Sequence, residues 1–181
     1  NITAASANLT YVAAGSTEVT LSDSSSESVS LLTIGISSAT IFAGLNGPSS
    51  NPDAVGVELS DATVGLALLS TGDGMVYYGV SANATALQGI GLPDDIQVGV
   101  GELNVEINGA SDGGETVVNF DASFTNPDGN GLAVSGTSLV LDYDQFLIHV
   151  AGSLSLSVTD YIEISGGFGF TKTADAIQID V

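Results

Sequence analysis

FLIHVAGSLSLSVTDYIEISGGFGF, residues Phe146–Phe170, is the stretch whose reading decides the fold. Phe146, Ile148, Val150, Leu154, Leu156 and Val158 fall on even numbers, as do Ile162, Ile164, Phe168 and Phe170. The odd positions between them are mostly Ser, Thr, Gly, Ala, His and Glu. Successive side chains of a β-strand point to opposite faces, so this period-two pattern marks strands with one apolar face. Strands usually run about 3–10 residues. The run therefore predicts two or more strands, with corners near Gly152-Ser153 and Thr159-Asp160. The even face is expected to be core. The odd face, with Ser153, Ser155, Ser157 and Glu163, is expected to be solvated.

Working upstream, one pattern returns. Ile34 and Ile36 give way across Ser37-Ser38 to Ala39, Ile41 and Ala43. Val55, Val57 and Leu59 give way across Ser60-Asp61 to Ala62, Val64, Leu66 and Leu68. Ile96, Val98 and Val100 give way across Gly101-Glu102 to Leu103, Val105 and Ile107. Tyr78 to Ala86 is a smaller copy, and Val117–Phe124 adds one unit. The spacing is roughly twenty residues, inside the window of repeat architectures. Asn46-Gly47-Pro48, Gly72-Asp73-Gly74, Leu92-Pro93-Asp94-Asp95 and Asp112-Gly113-Gly114 punctuate the runs as turns. Helical periodicity is nearly missing, so the chain is all-β. The polar pairs are read either as corners of a β-solenoid or other repeat-built β-rod, or as hairpin turns of an antiparallel β-sandwich. Most of the pairs make poor tight turns and their spacing is near-constant. The solenoid or rod is therefore the expectation, and the sandwich the alternative. Residues 1–181 are expected to form one all-β domain of such repeats, belonging to a longer chain or assembly.

Charge narrows the partners. Twenty-one Asp and Glu stand against a single cation, Lys172, for a net charge of −20. Nucleic-acid binding needs Lys and Arg to displace phosphate counterions, so it is excluded. Anionic membrane surfaces are disfavoured, and no apolar run reaches the length of about 18 residues that a spanning helix needs. Cys is absent, which removes disulfides and thiolate sites.

An enzyme is not expected. His149 is the only His, no G-x-S-x-G motif occurs, and there is no Trp to line a sugar cleft. Asp142 and Asp144 are the one obvious carboxylate pair. Spaced i and i+2 on a strand, they would share a face and suit one cation; the alternative is a solvated face. Asn126, Asp128 and Asn130, followed by Gly131, match the first half of a Ca²⁺ loop. Thr137 stands where such a loop places its bidentate Glu, and the alternative is an ordinary Pro-Asp-Gly turn. Asp94-Asp95 and Asp121 are weaker candidates. Tyr77, Tyr78, Tyr143 and Tyr161 are the aromatics available for sugar or surface contact. Asn1, Asn8 and Asn83 open N-x-[ST] motifs, which point to an extracellular surface where the producer glycosylates.

The segments VGVELSDATVGLALL (Val55–Leu69) and VAGSLSLSVTDYIEISGGFGFTK (Val150–Lys172) resemble the repeated modules of giant acidic bacterial surface or secreted proteins, adhesin-like and RTX-associated. That resemblance implies a Ca²⁺-associated setting outside the cell and carries no site residue over. The expectation is a structural building block of an extracellular filament, sheath or adhesin-like surface protein. Its partners would be further copies or neighbouring modules, with Ca²⁺ as the implied cofactor. The alternative is an adhesin module that binds carbohydrate or a surface.

Overall fold

The alternating runs form long strands. In chain order the elements are β1 (Ile2–Thr20), β2 (Ser26–Leu45), β3 (Val55–Thr71), β4 (Val76–Ile90) and β5 (Ile96–Ala110). A short helix α1 (Phe120–Ser123) follows, then the two-residue strands β6 (Thr125–Asn126), β7 (Gly129–Asn130), β8 (Leu132–Ala133) and β9 (Val140–Leu141). The chain closes with β10 (Leu147–Val158), β11 (Ile162–Thr173) and β12 (Ile177–Asp180). The computed structural model describes residues 2–93, 95–158 and 162–181. The Thr159-Asp160 corner, Tyr161, Asp94 and Asn1 lie outside them.

Eight strands make one sheet in the order β1-β2-β3-β4-β5-β10-β11-β12, every neighbouring pair antiparallel. The all-β expectation holds. The polar pairs, however, are neither solenoid corners nor hairpin turns. Ser38, Asp61 and Glu102 have φ of 51°, 49° and 52°, inside otherwise continuous strands. The β2–β3 register shifts between Ile36 and Ala39, beside Ser37-Ser38. Each pair is a β-bulge, an extra residue that one strand carries without a partner. Inserting one residue changes the number parity of the apolar positions and keeps them on the same face. That is why Ile36 and Ala39, three apart, both look the same way. Gly152-Ser153 is not a corner either: β10 runs through it, facing the Glu102 bulge of β5.

The reversals lie elsewhere. Leu21–Ser25 closes β1 on β2 through Leu21 N–H to Ser25 O at 2.8 Å. Thr71–Met75 closes β3 on β4, with Gly74 at φ 95°. The 46–54 loop joins β2 to β3.

Between β5 and β10 the chain leaves the sheet, and 111–146 folds back over one face near the Leu21 and Thr71 turns. Backbone bonds tie it down: Ser22 N–H to Val117 O at 2.8 Å, Asn119 N–H to Thr20 O at 2.9 Å and Phe120 N–H to Tyr143 O at 2.7 Å. The expected strand at Val117–Phe124 is instead a bridge, Leu21 to Val118, followed by α1. Asn119 caps α1 by accepting from Ala122 N–H at 2.8 Å. Phe120, Val117, Val118, Val134 and Leu141 come from this excursion and are buried. They pack on Val19, Val29, Leu69, Tyr77 and Ala110 of the sheet, and this is the main core. Two glycines let the layers touch. A Cβ on Gly79 would lie 2.7 Å from the Phe120 ring, and one on Gly35 would lie 2.2 Å from Ser135 O.

Asn108 fastens both ends of the excursion. Fully buried, it donates Nδ2–H to Val118 O and to Gln145 O, each at 2.9 Å. Its Oδ1 has no hydrogen-bond partner among the described residues.

Candidate functional site

Cross-strand partners share a face, so the register sorts every strand residue. One row runs Asn8, Gly35, Gly65, Ser81, Glu106, His149, Thr171, Gln178 across all eight strands. It lies on the covered face. Near the turns this face carries the excursion. Farther along it is mostly small and polar around one buried ring, Phe42: Gln88 Nε2 donates to Glu58 Oε1 at 2.9 Å, Ser49 Oγ donates to Glu58, and Ser153 Oγ donates to Gly101 O at 2.9 Å.

The adjacent rows look the other way. Leu9, Ile34, Leu66, Val80, Ile107, Ile148, Lys172, Ile177 form one, and Ala7, Ile36, Val64, Ala82, Val105, Val150, Phe170, Ile179 the next. In sixteen positions there is one charge, Lys172, and its Nζ sits 5.1 Å from the centre of the Phe146 ring. Beyond the bulges the same face continues through Ile41, Leu59, Leu87, Leu154 and Ile164. Ala39, Ala62 and Ala84 form a small buried cluster along the bulge line, with Ile36, Ile41, Leu59 and Leu103 packed around them. The excursion lies on the other face; here, among the described residues, only the edge is overlapped, where Leu92 of the β4–β5 loop reaches over Gly89.

Exposure agrees. Leu9 (68 %), Tyr11, Leu45, Val55, Val57 (38 %), Ile96 (37 %), Leu154, Ile162, Ile164 (54 %), Phe168, Ile177 and Ile179 are all exposed, and all lie on this open face. The even side of Phe146–Phe170, expected as core, is thus apolar but uncovered beyond Leu154. The molecule exposes 9785 Å² in all. A compact monomer of its mass is expected to expose roughly 8,000 Å². The contiguous apolar face, far larger than single scattered hydrophobics, is the candidate functional surface.

The other candidates resolve locally. Asn126, Asp128 and Asn130 sit on the β6–β7 hairpin around a Pro127-Asp128 turn. Asn126 Nδ2 donates to Asn130 O at 2.9 Å and to Gly131 O at 3.1 Å, and its Oδ1 accepts from Asp128 N–H at 3.0 Å. The side-chain oxygen of Asn126 is therefore committed to its own turn. Asp142 lies against this loop, its Cβ 3.1 Å from where a Gly131 Cβ would stand, and Asp142 and Asp144 are exposed on either side of buried Tyr143. They follow β9 and are not part of a strand. No group of three or more His, Cys, Asp or Glu among the described residues is placed to hold a metal ion.

His149 is half-buried, with Nδ1 2.8 Å from Thr171 Oγ1 of the neighbouring strand. Tyr143 donates its hydroxyl to Val80 O at 2.9 Å, and burial pushes its phenol far above the usual range, with a Ser81 hydrogen bond opposing. Tyr77 is buried as well, and desolvation followed by the charge of Glu27 raises it. In two turns, hydrogen bonds hold a carboxyl below the usual range: Ser25 acts on Asp23, and Thr71 with Met75 N–H acts on Asp73. Among the described residues no helix is long and apolar enough to cross a membrane. Comparison with family models, curated proteins and solved structures finds no match.

Proposed function

We propose that the chain is a structural building block of an extracellular or cell-surface assembly, joining further copies or neighbouring modules. The observation that carries this reading is the open sheet. In the described structure β1 and β12 each pair on one side only, β1 with β2 and β12 with β11. An unpaired strand edge is a template for another strand, and proteins that must stay separate blunt such edges with Pro, Lys or short strands. β1 is 19 residues long, has neither Pro nor Lys, and carries one charge, Glu18. Strand addition there extends the sheet end to end.

The acidic exterior fits the same role. Repulsion between like-charged copies disfavours random clumping, and the screening length of about 8 Å at 0.15 M salt sets where edges can meet. The aromatics favour this reading over a carbohydrate-binding module, because Tyr77 and Tyr143 are buried in the core and the exposed rings among the described residues, Tyr11 and Phe168, stand far apart on β1 and β11. Electron microscopy tests it. Filaments or sheets are expected at high concentration in salt or Ca²⁺. Dispersed globular particles under all these conditions contradict the reading.

A further inference from the structure

We propose that a second copy of this chain covers the open face, the two sheets packing apolar side to apolar side. This rests on the self-assembly reading and adds a surface to it: the flat of the sheet as well as its edge. The area carries the argument. The 9785 Å² exposed exceeds the scaling value for a compact monomer by on the order of 1,700 Å². Stable interfaces bury about 800 Å² per partner, and permanent ones more. The excess per chain thus equals or surpasses what a lasting dimer uses.

Shape and charge point to the same occupant. Antiparallel sheets stack about 10 Å apart with their inner side chains interdigitated. Ile36, Ile41, Leu59 and Leu103 stand as ridges around the hollow of Ala39, Ala62 and Ala84, which gives one copy relief to seat the other. The strand carboxylates Glu58, Glu106, Glu163 and Asp180 belong to the opposite face, and Glu18 lies on this one only at its end near the turns, so most of the charge on the strands is held off this surface. Lipid is the lesser fit. A sheet in a bilayer must close to satisfy its edges, and the described sheet is open. Aromatic girdles are also missing, with no Trp in the chain.

The test uses the 181-residue chain, which has no Cys, so single introduced cysteines report contacts cleanly. Leu66→Cys lies in the middle of the open face, and Thr10→Cys lies on the β1 edge. With a short bismaleimide, Leu66→Cys is expected to give covalent dimers at micromolar concentration. Val57→Glu with Ile96→Glu, both at exposed positions on inner strands, is expected to weaken association at least 100-fold while the circular dichroism spectrum and melting temperature of the monomer persist. Cross-linking of Thr10→Cys alone overturns the face proposal and leaves edge assembly standing. Cross-linking of neither overturns both. Flotation of the unmodified chain with phosphatidylcholine vesicles, in place of dimer formation, assigns the face to lipid and likewise overturns the proposal.

Discussion

Two neighbouring rows of the same sheet, one residue out of step, have different surroundings. Gly35, Gly65 and Ser81 lie under the chain's own excursion with exposed Asn8 at its rim; a Cβ on Gly35 would strike Ser135 O, and one on Gly65 would press on Val134. Leu9, Ile34, Leu66 and Val80 carry large side chains and nothing from the described chain covers them. The covered face holds Val29, Leu69 and Tyr77 beside its glycines where the excursion lies on it, and is mostly small and polar beyond. The open face is apolar over most of its length, with Glu18, Ser28, Ser30 and Ser70 only at the end near the turns. A sheet that needed only to fold would bury the large side chains and leave the small ones to water. This one buries Val29, Leu69 and Tyr77 on one face and yet leaves Leu9, Val57, Leu154 and Ile164 exposed on the other, and the difference marks which face folding uses and which face is left for a partner.

The comparison breaks most visibly through the core under the excursion. Phe120→Ala removes a fully buried ring and is expected to cost about 3–5 kcal/mol. Phe168→Ala on the open face is expected to cost under ~1 kcal/mol for the isolated monomer, because that ring is already 36 % exposed and surface substitutions are usually cheap. Chemical denaturation of both at low protein concentration gives the contrast directly. Equal losses would mean that the open face is also folding core. Next in size, Asn108→Leu strips the donors from Val118 O and Gln145 O. An unsatisfied buried group costs about 1–3 kcal/mol, so the total loss should approach that of Phe120→Ala. Faster hydrogen exchange confined to 111–146 would show that the amide serves to hold the excursion down.

Gly79→Val drives a side chain into the Phe120 ring, and such overpacking costs about 1–3 kcal/mol. The same change at Gly166, on the open face with nothing within 4 Å, is expected to leave the melting temperature nearly unchanged. The smallest effect is that of acid on the turns. Asp23 and Asp73 are depressed below the ordinary value of 3.8, so the stability they add is present above that value and is lost as pH falls through their lower folded values. Asp23→Asn and Asp73→Asn should flatten the stability profile below about pH 4. An unaltered profile would show that the turn hydrogen bonds add nothing.

Much of this was legible in the chain. The strands and their apolar parity follow from alternation alone, and the Gly and Asn clusters at 46–48, 72–74 and 112–114 do lie in loops and turns. What failed was the reading of the polar pairs. A two-residue turn, a solenoid corner and a bulge all place residues three apart on the same side, so Ile36-Ser37-Ser38-Ala39 looks alike in each. Only the hydrogen-bond register, continuous on either side of Ser38, separates them. The usual brevity of strands argued the same wrong way, because β2 runs for 20 residues. The alternation breaks off between Ala110 and Leu147, and that lapse was the available sign of an element outside the sheet. Asn108 could not be singled out, since its role is set by Val118 and Gln145, 10 and 37 residues away. At Asn126 the same pattern of side-chain oxygens serves a cation or a turn, and the amide hydrogen bonds use it for the turn.

If another copy covers the apolar face, the chain is a dimer in solution. Sedimentation equilibrium of the unmodified chain at 0.15 M salt, from low to high micromolar, tests it most directly. A species of twice the 18.0 kDa chain mass is expected, one that persists on dilution and strengthens with added salt, as screening reduces the repulsion between two chains of −20. A single species of 18.0 kDa across the whole range, soluble and folded, would contradict it.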